Sequence, residues 1–455
     1  MAKLNPEVIR EYDIRGSAER DFTDDNCRRL GRAIGTVERR TGARRITLGR
    51  DCRLHSPRIH DGVLAGLVES GLEIFDIGVC ATPLLYFSVH HWDMDGGVMV
   101  TASHNPAPDN GLKICVGKAT IHGAAIREIG ALVESGDFVS DPGGRVTERP
   151  VLDDYVRYVT SQIRAPRKLR IAIDAGNGPG GIAALPIFRA LGHEVVELYC
   201  EPDGRFPNHH PDPTVVENLR DLVAAVRERR CDVGIAYDGD ADRIGVVDES
   251  GRPIWGDQLM ILFSRSILEK TRGGTFIAEV KCSRTLYDDV PKNGGRIVMW
   301  KTGHSLIKSK MKEEHALLAG EMSGNMFFAD RYYGFDDAIY ASARLAEILS
   351  ETGKRVSDLL ADVPPTHVTP EIRVEVPESR KFAIVDELRA RFAKTHEVID
   401  IDGARINFDG GWGLVRASNT QAVLVLRFEA ESGARLAAIR KTVETAVREI
   451  TERAA

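Results

Sequence analysis

Three aspartates at alternate positions, in the run Asp238-Gly239-Asp240-Ala241-Asp242-Arg243, have the spacing of a hard-cation site. Carboxylates this close repel one another unless a cation neutralises them. Oxygen-only ligands suit Mg²⁺, which keeps open positions for phosphate or water. A second group stands upstream, where Thr101-Ala102-Ser103-His104-Asn105-Pro106 follows the apolar run Gly97-Val98-Met99-Val100. A hydroxyl and an imidazole thus sit on a stiff loop at the mouth of a buried strand, where a ligand could reach them. A third, Arg416-Ala417-Ser418-Asn419-Thr420, combines an Arg fork, two hydroxyls, an amide and backbone N–H groups, and could cradle a phosphate.

Each run also has a plainer reading. Ser-His pairs in loops are mostly turn formers, the aspartates could be a solvated acidic turn, and residues 416–420 could be a polar turn before a strand. Asp238, Asp240 and Asp242 also fill the first, third and fifth places of a Ca²⁺-binding EF-hand loop, with Glu249 at the twelfth. The sixth place needs Gly for its sharp turn and holds Arg243, and a strand precedes the loop where a helix should be, which argues against that loop. Gly176-Asn177-Gly178-Pro179-Gly180-Gly181 resembles a dinucleotide loop, but Pro179 interrupts the register and a tight structural turn is expected.

The elements that must position these loops alternate. Short apolar strands and helical patterns follow one another through three quarters of the chain, implying α/β units with parallel sheets and crossover helices. The units end their strands in polar loops at 101–106, 238–243 and 320–325, the last being Gly320-Glu321-Met322-Ser323-Gly324-Asn325. Open sheets bind ligands beyond the carboxyl ends of their strands, so the three loops are expected to converge on one cleft as a threefold structural repeat. After Pro364-Pro365 the pattern changes to a smaller α+β domain with an antiparallel sheet, a glycine-rich turn at 410–413 and a last helix from about residue 432. The expected domains are 1–150 with the Ser103 loop, 151–255 with the aspartates, 256–365 with the 320–325 loop, and 366–455.

A chain of 455 residues is long for one core, and its 43% hydrophobic and 28% charged content is that of an ordinary globular protein. The net charge of −6 is spread without blocks, which argues against a nucleic-acid-binding stripe. Seven dispersed cysteines with no Cys-x-x-Cys pair argue for a reducing compartment rather than disulfides or zinc. No apolar leader opens the sequence and no run approaches the roughly 18 apolar residues of a membrane span, so a cytoplasmic location away from membranes is expected.

Ordered motifs running the length of the chain give it a family resemblance: Tyr12-Asp13-Ile14-Arg15-Gly16, the 101–106 loop, Asn110-Gly111-Leu112-Lys113, the 238–243 loop, Lys281, Thr302-Gly303-His304, the 320–325 loop and the 416–420 run. In these the sequence resembles the bacterial phosphomannomutases/phosphoglucomutases of the α-D-phosphohexomutase superfamily. The resemblance implies three similar mixed-sheet α/β domains plus a smaller α+β C-terminal domain around a central cleft. It implies Ser103 as a phosphoserine, with Asp238, Asp240, Asp242 and a phosphoserine oxygen holding Mg²⁺. Glu321 and Ser323 would grip sugar hydroxyls, Lys281 and His304 would help recognise the sugar phosphate, and Arg416, Ser418, Asn419 and Thr420 would clamp the non-reacting phosphate. Tyr12 would line the cleft, with His104, Arg15, Lys113 and Arg243 near the reacting group. A nucleophilic hydroxyl, a divalent metal and this resemblance together point to phosphoryl transfer, in which hexose 6- and 1-phosphates interconvert through a 1,6-bisphosphate that also serves as activator. Sugar phosphates are the expected partners, and a monomer or weak dimer the expected state.

One position departs from the family pattern: His commonly follows Gly-Glu-Met-Ser-Gly, and here Asn325 stands. An amide hydrogen-bonds but carries no titrating proton near neutrality, so a proton-transfer task there would have to pass to Lys113 or His104, or turnover would be slow. A hexose 1,6-bisphosphate synthase or leaky phosphatase gains weight from Asn325, and phosphoglucosamine mutases are a further alternative. Met322 favours mannose and glucose phosphates, because relatives acting on glucosamine phosphate usually carry Gln there. A catalytically silent sugar-phosphate-binding protein is the reading from another class, weighed against by the intact Ser103, aspartates and phosphate loop.

Overall fold

The computed structural model describes residues 4–418 and 422–453. Its four sheets follow the chain in order. The first has strands Ile14–Ser17, Asp109–Val116, Gly96–Val100, Arg45–Arg50, Glu73–Val79 and Arg145–Glu148 side by side, with Ala119–Thr120 beside Asp109–Val116. The second runs Pro253–Ile254, Ile244–Asp248, Val233–Tyr237, Arg170–Asp174, Glu194–Leu198, and the third Arg296–Trp300, Thr275–Glu279, Leu318–Gly320, Met326–Phe328. These sheets are mixed, as the family resemblance implies, in place of the parallel sheets expected from the strand–helix alternation alone. In each, the last parallel strand pairs with an antiparallel partner: Val98 opposite Ile114, Ile235 opposite Val246, Ala319 opposite Phe327.

That topology explains the repeat. Each candidate loop is the turn between the last parallel strand and its antiparallel partner: 101–108 after Gly96–Val100, 238–243 after Val233–Tyr237, 321–325 after Leu318–Gly320. The parallel strand is wholly buried in all three, as its small and apolar sequence requires, so each loop is rooted in a core. The three α/β units are packed on one another. One apolar cluster joins Leu84, Tyr86 and Tyr155 to Ile171, Tyr237, Phe276, Phe328 and Tyr340.

The C-terminal sheet is antiparallel. Strands His367–Val368, Val423–Ala430, Gly411–Ala417, Ala404–Phe408 and Val398–Ile399 lie in order, Ile372–Glu375 also pairs with Val423–Ala430, and helices Lys381–Phe392 and Gly433–Glu452 pack on it. Two expectations need correction here. Gly411, Trp412 and Gly413 belong to a strand and only Asp409-Gly410 forms the turn, because Trp412 is buried beside Val280 and Leu414. Arg416 is likewise in that strand rather than in a loop. Residues 176–179 make the expected turn, with Gly176 and Asn177 at positive φ, and Gly180 and Gly181 open helix Gly180–Ala190.

Candidate active site

Ser103 stands at φ +51°, in the left-handed region, a conformation costing a non-glycine residue about 1–3 kcal/mol that persists only where its surroundings impose it. Here the Ser103 N–H donates to Thr101 Oγ1 at 3.0 Å and the Asn105 N–H to the Ala102 carbonyl at 2.9 Å. Arg15 donates to Asn105 Oδ1 at 2.7 Å and is paired with Asp13. The Ser103 hydroxyl donates to Asp238 Oδ2 at 2.6 Å across the boundary between the first two units, and His104 Nδ1 lies 3.3 Å from Ser103 Oγ. So close an approach requires Gly239, where a Cβ would lie 2.2 Å from the Ser103 carbonyl oxygen.

Asp238, Asp240 and Asp242 are all buried, with a carboxylate oxygen from each within 4.8 Å of the others. Lys113 Nζ donates to Asp240 at 2.8 Å and is also paired with Asp242. Thr82, at the start of helix Thr82–His91, gives its hydroxyl to Asp240 Oδ2 at 2.5 Å and its N–H to the Asp240 carbonyl. Even with the nearby Arg243 guanidinium, the Lys113 ammonium cannot neutralise three carboxylates. Burial and then the charges of Asp242 and Asp240 push Asp238 well above the usual carboxylate range, and burial with Asp240 raises Asp242. Burial opposes charge on Asp240 too, but the Lys113 ammonium outweighs it and holds Asp240 low. Oδ1 of Asp240 and Oδ1 of Asp242 are buried and unpartnered. Two orphaned hard oxygens in an all-oxygen cluster of excess negative charge fit a divalent cation. The EF-hand alternative fails: Ile244–Asp248 is a strand, and Glu249 turns away to Ser357.

The third loop closes over the second. Ile244 N–H donates to the Gly324 carbonyl at 3.0 Å, and Asn325 forms a bridge with Arg243. Asn325 Nδ2 reaches the Asp242 carbonyl at 3.4 Å and Asp336 Oδ2 at 3.3 Å. Asp336, fully buried, also takes Lys308 at 3.0 Å and stands 3.9 Å from His304 Nδ1. Ser323 donates to Asn325 Oδ1 at 3.1 Å and Glu321 Oε2 at 3.3 Å, and Glu321 Oε1 accepts the Gly303 N–H at 2.6 Å. Burial and the neighbouring Glu279 push Glu321 up to about 7. Tyr12 gives its hydroxyl to the Thr302 carbonyl at 3.2 Å, edge-on to His304. Burial keeps His104 and His304 neutral, helped at His104 by Arg243 and Arg15 and at His304 by Lys308 and Lys113.

At the far side Lys281 Nζ pairs with Glu371 at 2.8 Å, and Arg416 Nε with Asp402 Oδ2 at 3.0 Å. Asp402 also accepts the Thr302 N–H at 3.1 Å, and the Ser418 N–H donates to the Val423 carbonyl. Asn419 and Thr420 lie outside the described residues. Sequence reasoning missed Thr82, Lys308, Asp336, Glu371 and Asp402. Only Lys308 had a local signal, lying one turn from His304 on a helix that begins there. Thr82, Glu371 and Asp402 act through contacts between units, and Asp336 through contacts within the third unit that no motif marks.

Sequence profiles of the phosphoglucomutase/phosphomannomutase family match in the same order: alpha/beta/alpha domain I over residues 6–140, domain II over 153–251, domain III over 255–367 and the C-terminal domain over 371–446. The chain belongs to the phosphoglucomutase/phosphomannomutase family. It is 44% identical to a phosphoglucomutase of Neisseria meningitidis over 451 residues, 98% of each chain. A phosphomannomutase/phosphoglucomutase of Pseudomonas putida is 43% identical over 98% of this chain and 96% of its own. A crystal structure of a phosphoglucomutase/phosphomannomutase family protein from Burkholderia thailandensis superposes with a TM-score of 0.93 at 39% identity, covering 98% of each chain. Phosphoglucomutase/phosphomannomutase membership makes this chain a mutase that transfers phosphoryl groups. No helix among the described residues is long and apolar enough to cross a membrane.

Proposed function

We propose that this mutase interconverts the 1- and 6-phosphates of glucose and mannose through a phosphorylated Ser103. The observation that carries the reading is the contact of the strained Ser103 hydroxyl with Asp238, inside a buried acidic cluster that has two unpartnered oxygens. The names of the relatives, phosphoglucomutase and phosphomannomutase/phosphoglucomutase, supply the two sugars.

Asp238, Asp240 and Asp242, with an oxygen from Ser103, would hold Mg²⁺. When bound, that ion neutralises phosphoryl oxygens and raises the electrophilicity of phosphorus. The chain's own groups do the rest. The bond from Ser103 Oγ to phosphorus breaks as a bond from the C1 or C6 hydroxyl forms, and Lys113, Arg15 and Arg243 surround the equatorial oxygens with positive charge. Neutral His104, 3.3 Å from Ser103 Oγ, would take the proton that the attacking sugar hydroxyl loses and return it to Ser103 Oγ as that oxygen leaves phosphorus. Glu321 and Ser323 orient the ring through its hydroxyls, and Lys281, His304, Arg416, Ser418, Asn419 and Thr420 bind the phosphate that does not react. The bisphosphate then reverses in the cleft and returns its other phosphate to Ser103.

The test is to incubate the purified chain with glucose 1-phosphate or mannose 1-phosphate, Mg²⁺ and catalytic glucose 1,6-bisphosphate, and follow products by phosphorus NMR. Both 6-phosphates should form. Release of inorganic phosphate alone, or bisphosphate accumulating as end product, would overturn the assignment in favour of a phosphatase or a bisphosphate synthase.

A further inference from the structure

Arg53 follows the parallel strand Arg45–Arg50 of the first unit, and its side chain is wholly buried although it belongs to none of the loops that face the cleft. The guanidinium is spent on one object. Nη1 donates to the carbonyls of Pro106 at 2.8 Å and Asp109 at 3.1 Å, and Nη2 to those of Ser103 at 2.7 Å and Asn105 at 2.7 Å. Four carbonyls from a seven-residue stretch therefore converge on a single planar cation (Ser103 to Asp109). The cation is itself fixed from behind. Asp51 Oδ2 lies 3.3 Å from Nε, Asp51 Oδ1 accepts the Arg53 N–H at 3.0 Å, and Ser56 gives its hydroxyl to the same oxygen. On its other flank the guanidinium lies over the Phe206 ring of the second unit, 5.1 Å from its centroid.

We propose that Arg53 is the positioning residue for phosphoryl transfer at Ser103, a template that sets the turn of the Ser103 loop and thereby the direction of its Oγ. The inference rests on the mutase reading for what Ser103 does and extends it to what aims it. Carbonyl oxygens crowded at the centre of a turn repel one another, and a lone turn of this sequence has no reason to keep Ser103 at φ +51°. The fork geometry of a guanidinium binds several carbonyls in fixed directions, which an ammonium on a flexible stem does not. In-line transfer depends on that direction, because a misplacement of about 1 Å costs on the order of 10²-fold in rate. The positive charge also lies behind the loop, on the side of the Ser103 carbonyl, where it does not compete with sugar phosphate for the cleft.

The test uses the full-length protein with Arg53→Lys, which keeps the charge and loses the fork, and Arg53→Ala, assayed with and without guanidinium chloride at tens of millimolar. With glucose 1-phosphate as substrate, Arg53→Lys should lose about 10²-fold in kcat while KM stays within about threefold. Added guanidinium should restore Arg53→Ala at least about tenfold without raising its melting temperature. Amide hydrogen exchange over residues 102–109 should accelerate in Arg53→Lys, a readout that needs no turnover, so it tests the positioning even if the mutase reading fails and the wild type proves inactive. The proposal is overturned if folded Arg53→Lys keeps wild-type kcat, if KM rather than kcat carries the loss, or if exchange over 102–109 is unchanged.

Discussion

At the end of the cleft where Ser103 meets Asp238, the buried Lys113, Asp240 and Asp242 are each answered by another unit of the chain: Lys113 by Asp240 and Asp242, Asp240 by Thr82, the Asp242 backbone by Asn325. At the other end the cations are held by carboxylates that a ligand could replace, Lys281 by Glu371 and Arg416 by Asp402, and both carboxylates belong to the antiparallel C-terminal domain. The first arrangement has one geometry; the second can trade an internal anion for a phosphate. A substrate that must bind in two orientations needs both. In the proposed mechanism the transferred group always meets the same hydroxyl and acidic cluster, whereas the distal phosphate arrives attached to either C1 or C6. On that proposal precision is concentrated where the chemistry recurs, and exchangeable ion pairs where the ligand varies.

Replacing Ser103 by Ala tests the fixed end most severely. Without an oxygen to carry the phosphoryl group, kcat should fall by more than about 10³-fold while the melting temperature barely changes. Retained turnover would dissolve the distinction between the two ends. Asp240→Ala should cost about 10²-fold or more in kcat, and excess chelator should do the same to the wild type. Because burial and mutual repulsion raise Asp238 and Asp242, Mg²⁺ bound at the proposed site would have to displace protons. The rise in melting temperature on adding Mg²⁺ should therefore grow from pH 6 to pH 8. A constant rise would mean that the ion binds elsewhere.

The fixed end was largely legible from sequence, since the aspartate spacing and the Ser-His loop are local patterns rooted in buried strands. The exchangeable end was legible only in its cations. Glu371 and Asp402 have no motif, because their roles arise from how the C-terminal domain docks on Lys281 and Thr302. The threefold repeat was legible as apolar strands followed by polar loops. Its mixed topology was legible only through the family resemblance, because a two-sided buried strand reads the same whether its neighbour runs parallel or antiparallel.

At the exchangeable end, Arg416→Ala should raise KM for either sugar phosphate about tenfold or more and change kcat less, the loss expected for a charge-assisted phosphate contact. Glu371→Gln has a smaller effect, with a sign that can be checked by pH. The Lys281 ammonium holds the Glu371 carboxyl down to about 2, below its ordinary 4.5, so the pair stabilises the docked C-terminal domain above pH 4.5 and is lost as pH falls towards 2. The variant should lack that acid-dependent loss in a melting series and bind sugar phosphate up to about threefold more tightly, since Lys281 no longer has to leave a partner. Looser binding would show that Glu371 guides the ligand rather than standing in for it. The smallest effect is expected at Asn325, whose amide ties the Asp242 carbonyl to Asp336 and offers no proton. Asn325→His should change kcat less than about threefold and leave the pH profile of kcat superimposable. A gain of about tenfold with a new ionisation between pH 6 and 8 would show instead that the fixed end lacks a proton carrier.

The most direct measurement is a pulse and chase on Ser103. The protein is incubated with glucose 1,6-bisphosphate labelled in its phosphates, and the label is located by peptide mass spectrometry before and after a chase with unlabelled glucose 1-phosphate. A phosphoryl group on Ser103 alone, passing into bisphosphate and hexose 6-phosphate at least as fast as overall turnover, is the result the mutase mechanism predicts. A label absent from Ser103 in an active preparation, or one that survives the chase while product forms, would contradict it.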